Sequence, residues 1–230
     1  MQAAPGVYVI GAVASRAYLL GGVELTLIDA GGPGSAGRVL RAMARLEHRP
    51  QDLTRILLTH VDLDHVGGLG PLVEASGARV YAHPAAFERL AEGRVPRGDR
   101  GLSSAWALLR GLFVLPRRIE MQGEPLDDGA ALPVLGGLRV VYTAGHSPDH
   151  VVYSLEQPRL IFAGDLLEAR RGHLEACPGP GAAARQETVL ALRRLASLDP
   201  LASCPATARP TATISPCAWC AWPRSWRSRH

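Results

Sequence analysis

Short apolar runs, separated by glycine-rich turns, occupy the beginning of the chain. Each run is four residues long and contains residues that favour strands, which predicts three β-strands at residues 7–10, 17–20 and 25–28. Apolar residues then recur at helical spacing. This spacing predicts a helix that begins at Ser35, a residue type that caps helices, and continues to about Glu47.

The rest of the chain alternates between strand and helix patterns. Predicted strands lie at residues 56–58, 79–82, 138–142, 151–155 and 160–162, and predicted helices lie at 72–75, 84–118 and 183–198. Strands that alternate with helices, with hairpins among them, favour an α/β sandwich over an all-helical or all-β domain. We find neither an internal repeat nor a linker, so the pattern predicts one domain over residues 1–200.

Composition narrows the class of protein. The 230 residues are 47% apolar and 20% charged, which excludes a disordered or collagen-like chain. No apolar run reaches the roughly 18 residues that a membrane span needs. The apolar stretch at residues 7–14 lacks the basic residues that precede the core of a signal peptide, and the four cysteines form no disulfide framework. A cytoplasmic, reduced protein is therefore expected.

The net charge of +4 is confined to the end of the chain. Four arginines follow Asp199, the last acidic residue, and the other 21 basic residues balance 21 acidic ones in residues 1–199. A positive net charge usually indicates an acidic partner, nucleic acid first. Because the body of the chain is neutral, we expect a small-molecule substrate and no nucleic acid.

The most informative polar cluster follows the predicted strand at 56–58. It runs Thr59-His-Val-Asp-Leu-Asp-His and places His60, Asp62, Asp64 and His65 within six residues. Alternate residues of an extended segment point to the same side, so the first three can converge on one point. Imidazole and carboxylate groups are ordinary ligands of zinc, manganese and iron. The cluster predicts a divalent metal site, and the alternative is a capped turn with incidental polar residues.

Two further groups of polar residues follow predicted strands. His146 and His150 lie in Gly-His-Ser-Pro-Asp-His after the strand at 138–142, and Asp165 ends Phe-Ala-Gly-Asp after the strand at 160–162. The ends of strands are where α/β folds usually build sites. Each group alone is equally well explained as a turn, but three such groups in one chain favour a shared site.

These motifs, in this order, resemble those of the metallo-β-lactamase-fold hydrolases, and in particular the glyoxalase II-like and lactonase-like branch. The resemblance spans about residues 7–199 and implies a four-layer αβ/βα sandwich with two metal ions in a cleft between the sheets, its C-terminal part incomplete in this chain. By position it implies His60, Asp62 and His146 as ligands of the first metal, Asp64 and His65 as ligands of the second, and Asp165 as the bridge between them. It also implies that Asp29 holds the loop that bears four of these ligands (residues 59–68) without itself binding a metal ion. His150 is implied to support the ligands or to contact the substrate.

The resemblance also implies a chemistry. Two metal ions, zinc first and manganese or iron as alternatives, share a water and lower its pKa, and the resulting hydroxide attacks a small ester, thioester or lactone carbonyl. Asp64 would orient this nucleophile and take its proton, since no serine or cysteine shows the context of a catalytic triad. Most members of the family have histidine in place of Asp62, so the first site is richer in oxygen here, and we expect some shift of its preference towards manganese or iron.

The stretch after residue 200 departs from the pattern of the family. The family has a last metal-binding histidine in a Pro-Gly-His-Gly turn, whereas this chain continues Cys204-Pro-Ala-Thr-Ala and has no histidine between His173 and His230. A frameshift is our hypothesis for this difference: with one allowed choice of codons, a base restored after the Cys204 codon gives Cys-Pro-Gly-His-Gly and then an amphipathic helix. We therefore expect residues 201–230 to be an aberrant, disordered tail and the second metal site to be weakened.

Two alternatives to the hydrolase of small carbonyl substrates stay open. One is a phosphodiesterase or nuclease of the same fold, and the other is a metal-binding pseudoenzyme that lacks the last ligand. The predicted helical stretch at 84–118 offers Arg94, Trp106 and Arg110 as pocket residues, although ordinary packing and surface charge explain them more simply. A frameshifted origin also argues against a role for the Cys-x-x-Cys pair and the tryptophans of the tail.

Overall fold

Two β-sheets pack face to face in the computed structural model of the chain, which describes residues 1–22, 24–91, 123–170, 173–206 and 220–221. Within these residues, the first sheet contains seven strands in chain order. They are β1 (Gln2–Ala4), β2 (Val7–Gly11), β3 (Arg16–Leu20), β4 (Leu25–Ile28), β5 (Leu53–Leu57), β6 (Arg79–Ala82) and β7 (Gly123–Pro125). Neighbouring strands are antiparallel from β1 to β4 and parallel from β4 to β7.

The second sheet is built mainly from the second half of the chain. Its described strands are β8 (Ala131–Leu132), β9 (Leu138–Tyr142), β10 (Val151–Leu155), β11 (Leu160–Gly164), β14 (Ala202–Pro205) and β15 (Cys220–Ala221). Their order in the sheet is β15–β14–β11–β10–β9–β8, with β11 and β14 parallel and the other neighbours antiparallel. A separate hairpin of β12 (Leu167–Arg170) and β13 (His173–Ala176) follows β11.

Helices cover the outer faces of both sheets. They are α1 (Ala36–Arg45), α2 (Leu63–Val66), α3 (Leu69–Ser76), α4 (Pro84–Ala91) and α5 (Gly181–Ser197). Among the helices of the described residues, none has the length and hydropathy of a transmembrane segment. Met43 of α1 and Leu72 of α3 pack on the first sheet, and Leu195 of α5 packs on the second. Between the sheets, Tyr18 and Phe162 meet edge to face with ring centroids 5.2 Å apart. The layers are helix, sheet, sheet, helix, which confirms the predicted αβ/βα sandwich.

Most of the strands and helices lie within a few residues of their predicted positions. Four strands match the prediction at both ends: β4, β6, β9 and β10. The sequence does not predict β1, β7, β8 and β15, because two or three residues carry too little pattern, and it does not predict β12, β13 and β14 either. The helix predicted over residues 84–118 begins at Pro84, and its described part ends at Ala91. Residues 92–122 lie outside the described residues.

Strand β14 lies inside the stretch 201–230 that the sequence separates from the domain. Its four residues are buried, and it pairs in parallel with β11. The hydroxyl of Tyr18, in the first sheet, donates a hydrogen bond to the carbonyl of Pro205 at 2.7 Å. Residues 202–206 are therefore part of the second sheet, and apart from β15 the rest of this stretch lies outside the described residues.

Candidate metal centre

The predicted ligands lie where strands of both sheets end. Asp29 directly follows β4 and His60 lies just after β5, while His146 follows β9 and Asp165 directly follows β11. Strands β4 and β5 are parallel, and β9 and β11 both pair antiparallel with β10, so their carboxyl ends lie at one edge of each sheet. The packing of the two sheets brings these edges together, which is the usual place for a site in an α/β fold.

His60, Asp62 and His146 form one group with the spacing of metal ligands. One ligand atom from each residue lies within 4.8 Å of the others. Asp62 Oδ2 is 3.6 Å from His60 Nε2 and 3.7 Å from His146 Nε2. A tetrahedral ion with bonds of about 2.0–2.1 Å requires ligand atoms about 3.4 Å apart. The two distances that involve Asp62 are therefore close to the spacing of ligand atoms around one ion.

His60, His65 and Asp165 form a second group, also with one ligand atom each within 4.8 Å of the others. His65 Nε2 lies 3.4 Å from Asp165 Oδ1 and 3.9 Å from Asp64 Oδ2. Asp64 is thus beside this group but not part of either set that meets the spacing. Because both groups include His60, the two candidate ion positions are neighbours.

Asp29 is buried and orients two of the imidazoles. Its Oδ2 lies 2.9 Å from His65 Nδ1 and accepts a hydrogen bond from the Thr59 hydroxyl, also at 2.9 Å. Thr59 Oγ1 in turn lies 3.1 Å from His60 Nδ1. An ionised carboxylate can only accept hydrogen bonds, so this arrangement assigns a proton to each Nδ1 and makes Nε2 the nitrogen of each ring that a metal ion can bind.

The other two histidines of the cluster are also held by their Nδ1 atoms. His146 Nδ1 donates to the carbonyl of Cys177 at 3.0 Å, so its Nε2 faces Asp62. His150 is fully buried, with its ring centroid 5.0 Å from that of His60 and its Nδ1 2.8 Å from the Thr143 hydroxyl. Of the two roles expected for His150, support of the ligands fits this burial better than contact with a substrate.

Several buried polar atoms of the cluster have no hydrogen-bond partner among the described residues. They are Nε2 of His60, His65 and His150 and Oδ1 of Asp64. Buried polar atoms are nearly always paired in native proteins, so a concentration of unpaired ones points to a missing ligand. Imidazole nitrogens and carboxylate oxygens suit zinc, manganese or iron. The residues present therefore fit a divalent metal centre.

The charges of the cluster favour a cation. Burial would raise the pKa of Asp62, but the neighbouring imidazoles of His146 and His60 lower it well below its usual range. Burial would lower the pKa of His146, but the neighbouring carboxylate of Asp62 raises it to about 10. Burial likewise opposes a charge on His65, yet the negative charge of Asp165 holds its pKa well above the usual value. The site therefore keeps its carboxylates ionised and attracts positive charge.

Two charged residues beside the first group are not predicted from the sequence. Asp149 is fully buried, and its Oδ2 accepts a hydrogen bond from the Val61 amide at 2.8 Å. Arg89, on α4, forms an ion pair with Asp149 through Nη1 and places Nη2 3.5 Å from Asp62 Oδ1. The one signal in the sequence was a carboxylate inside the Gly-His-Ser-Pro-Asp-His motif, and nothing linked it to an arginine 60 residues away.

Of the weaker candidates, His173 alone lies among the described residues. Arg94, Trp106 and Arg110 lie outside the described residues, as does His230. His173 is exposed at the start of β13 and belongs to neither of the two metal groups found among the described residues.

A family model described as the Metallo-beta-lactamase superfamily matches residues 10–206. The chain belongs to the metallo-β-lactamase superfamily. The match extends through β14 and ends at Ala206, which agrees with the place of that strand in the second sheet.

Relatives of this metallo-β-lactamase-fold chain include named hydrolases. YflN of Bacillus subtilis, a probable metallo-hydrolase, is 29% identical over 147 residues, which are 62% of this chain and 55% of that protein. A hydroxyacylglutathione hydrolase of Methylobacterium nodulans is 36% identical over 132 residues, 57% of this chain and 40% of that protein. The chain thus spans about half the length of the curated relatives it matches. The crystal structure of a metallo-beta-lactamase family protein from Thermus thermophilus superposes with a TM-score of 0.66 at 27% identity, over 89% of this chain and 74% of that chain.

Proposed function

We propose that this chain hydrolyses a small ester, thioester or lactone at a centre of two divalent metal ions. The observation that carries the proposal is the orientation of three imidazoles, His60, His65 and His146. Their Nδ1 atoms contact oxygen atoms, and their Nε2 atoms converge with the carboxylates of Asp62 and Asp165. Imidazole nitrogens that are oriented in advance, next to buried carboxylates, are what a metal-dependent hydrolase needs.

The proposed ligands divide between two ions. His60, Asp62 and His146 would hold the first, Asp64 and His65 would hold the second, and Asp165 would lie between them. When bound, divalent ions there would supply a hydroxide nucleophile near neutral pH and polarise the carbonyl group under attack. Asp29 and Thr59 keep the imidazoles in the orientation that this binding requires.

Asp64 is the proposed general base. Its Oδ2 lies 3.9 Å from His65 Nε2, on the side of the second ion position. Its Oδ1 is buried and has no hydrogen-bond partner among the described residues. One oxygen can thus serve the ion while the other orients the attacking water and accepts its proton, which is the task of a general base.

The proposed substrate class rests on charge and on the relatives. Residues 1–199 carry 21 basic and 21 acidic residues, so the body of the protein has no excess positive charge to attract a polyanion. One relative is named as a hydroxyacylglutathione hydrolase, and an acylglutathione is a thioester. Lactones and simple esters present the same carbonyl carbon to the nucleophile, so they belong to the proposed class.

Hydrolysis by the metal-loaded chain tests the proposal. We expect turnover of an acylglutathione or a lactone after loading with zinc or manganese, and a loss of about 100-fold or more in Asp165→Asn, because that carboxylate belongs to the metal centre. Asp199→Asn, which changes an exposed carboxylate paired with Arg159, is the matched control and should keep full activity. Turnover of bis(p-nitrophenyl) phosphate alone would replace the proposal with a phosphodiesterase.

A metal-binding protein without hydrolytic activity is the second candidate, and the end of β14 favours it. The amide of Ala206 donates to the carbonyl of Gly164 at 3.1 Å, so the chain passes next to Asp165 at this point. Thr207 occupies the next position, where the restored reading frame has histidine. Assay of this chain beside the frame-restored version separates the two, since hydrolysis by the restored version alone would make this chain an impaired enzyme.

A further inference from the structure

A buried pair of charges lies against the first metal group. Asp149 has no exposed surface, and the side chain of Arg89 is 17% exposed. The Arg89 guanidinium contacts Asp149 with Nη1 and lies 3.5 Å from Asp62 Oδ1 with Nη2. Asp149 also accepts the amide hydrogen of Val61, which stands between His60 and Asp62. Through Asp149, Arg89 therefore links α4 to the loop at Val61 and to the loop that follows β9.

The two oxygens of Asp62 have different partners. Oδ2 lies 3.6 Å from His60 Nε2 and 3.7 Å from His146 Nε2, whereas Oδ1 faces Arg89. A carboxylate can bind a metal through one oxygen or through both. Because a cation engages Oδ1, only Oδ2 is left for an ion in the first site. A carboxylate that binds through one oxygen fills one coordination position, as an imidazole does.

We propose that Arg89, anchored by Asp149, is a positioning residue that holds Asp62 as a one-oxygen ligand and so lets an aspartate occupy the place of an imidazole. This inference rests on the metal centre of the proposed function. Arginine suits the task because its rigid fork can donate to two carboxylates at once, and the ammonium of lysine cannot reproduce that geometry. The site then keeps the low coordination number that zinc prefers.

The alternative is a buried ion pair with a purely structural role. Such a pair would stabilise the fold, or the position of the loop at Val61, without any dependence on the side chain at position 62. The two ideas differ in what happens when Asp62 is itself replaced. They also differ in the effect on metal selectivity, since a freed carboxylate can bind through both oxygens and so favours ions of higher coordination number.

Zinc and manganese affinities of the metal-free protein, measured by competition with a chromophoric chelator, test the proposal. Arg89→Met and Asp149→Asn are introduced together, so that no lone buried charge remains and the new amide side chain keeps an oxygen for the Val61 amide. We expect zinc affinity to fall about 10–100-fold, as for other groups that orient metal ligands, and manganese affinity to fall less. The control is Arg79→Met with Glu124→Gln, which removes an exposed pair at 2.6 Å and should change neither affinity.

Repeating the measurement in the Asp62→His variant shows whether the effect depends on Asp62. In the Asp62→His background, the same double substitution should change zinc affinity less than about threefold, because an imidazole needs no cation to restrict it to one donor atom. Equal losses of zinc affinity in the two backgrounds would overturn the inference and leave the structural role. An unchanged ratio of zinc to manganese affinity in the Asp62 background would overturn it as well.

A third variant, Arg89→Lys, distinguishes a loss of zinc affinity from a loss of stability. The lysine keeps a positive charge beside Asp149, so urea denaturation of the metal-free protein should show stability close to that of the original chain. Zinc affinity should nevertheless fall, because the fork is lost. If the lysine variant binds zinc as tightly as the original chain, the inference is wrong. If the original chain itself takes up no zinc or manganese, the proposed metal centre fails together with it.

Discussion

Single residues decide which nitrogen of an imidazole faces the metal centre. His65 contacts Asp29 directly, and His60 contacts it through the Thr59 hydroxyl, so one buried carboxylate orients two imidazoles. The backbone of Asp29 has a φ of +58°, in the left-handed region that aspartate and asparagine tolerate better than most residues. The residue type therefore serves both the turn after β4 and the orientation of the ligands.

Asp29→Asn should separate these two tasks. Asparagine tolerates the same backbone conformation, so the fold should persist, but the neutral amide orients His65 poorly. We expect zinc affinity to fall about 10–100-fold, measured by chelator competition, with a similar urea midpoint for the metal-free protein. Asp29→Ala should in addition cost about 1–3 kcal/mol, because the buried Thr59 amide and hydroxyl lose an acceptor. Unchanged zinc affinity in both variants would show that Asp29 does not orient the ligands.

At the scale of elements, the loop between β5 and α3 is held from both sheets. Tyr153 of β10 donates its hydroxyl to the carbonyl of Leu58 at 2.8 Å, and the amide of Val151 donates to the carbonyl of Thr59 at 2.8 Å. On the other side, the amide of Gly68 donates to the carbonyl of Gly31 at 3.0 Å. The ligand-bearing loop is therefore rigid because it is packed between elements of both sheets.

Gly68→Ala should disturb this packing. A Cβ at Gly68 would lie 2.4 Å from the carbonyl oxygen of Ala30, although the φ of −91° is ordinary for any residue. We expect a loss of about 1–3 kcal/mol in the free energy of unfolding, the cost of overpacking a close contact. Gly11→Ala is the control, since a Cβ there meets nothing within 4 Å. Equal urea midpoints for the two variants would contradict the steric argument.

Tyr153→Phe tests the hydrogen bond that links β10 of the second sheet to the loop after β5 of the first. The variant leaves the buried carbonyl of Leu58 without this donor, so we expect the free energy of unfolding to fall by about 1–3 kcal/mol. Tyr142→Phe removes a hydroxyl that donates to Pro148 at an exposed position, where water can replace it. This control should lose less stability in the same urea titration, and an equal or greater loss would argue against a special role for the buried bond.

At the scale of the whole molecule, the packing of the two sheets and the residues after β14 decide which ligands the metal centre has. The two sheets bring His60 and His65 from one half of the chain to His146 and Asp165 from the other. Strand β14 belongs to the second sheet, and the amide of Ala206, directly after it, donates to the carbonyl of Gly164, the neighbour of Asp165. We propose that the residues beyond this strand come from a shifted reading frame.

Metal content tests this proposal for the whole chain. Elemental analysis after loading with zinc and gel filtration should find fewer than two ions per chain, and two in the frame-restored version, because the restored version regains a histidine. Two tightly held ions in the present chain would show that another group, such as His173 or His230, completes the second site. Sequencing of the gene across residues 203–208 is the direct check, and independent reads with no room for an extra base would exclude the frameshift.

The sequence by itself determined the order of the longer strands and helices, the sandwich class and the cluster from His60 to His65. Those features are local: continuous apolar runs form buried strands, and polar residues that directly follow them must lie at the edge of a sheet. Only the tertiary structure decided which nitrogen of each imidazole faces the metal centre, that Asp64 lies beside the second group, and that Arg89, paired with Asp149, reaches Asp62. An arginine near the end of a short helix has the sequence pattern of an exposed residue, and its burial depends on a carboxylate 60 positions away that the packing of the two halves brings to it.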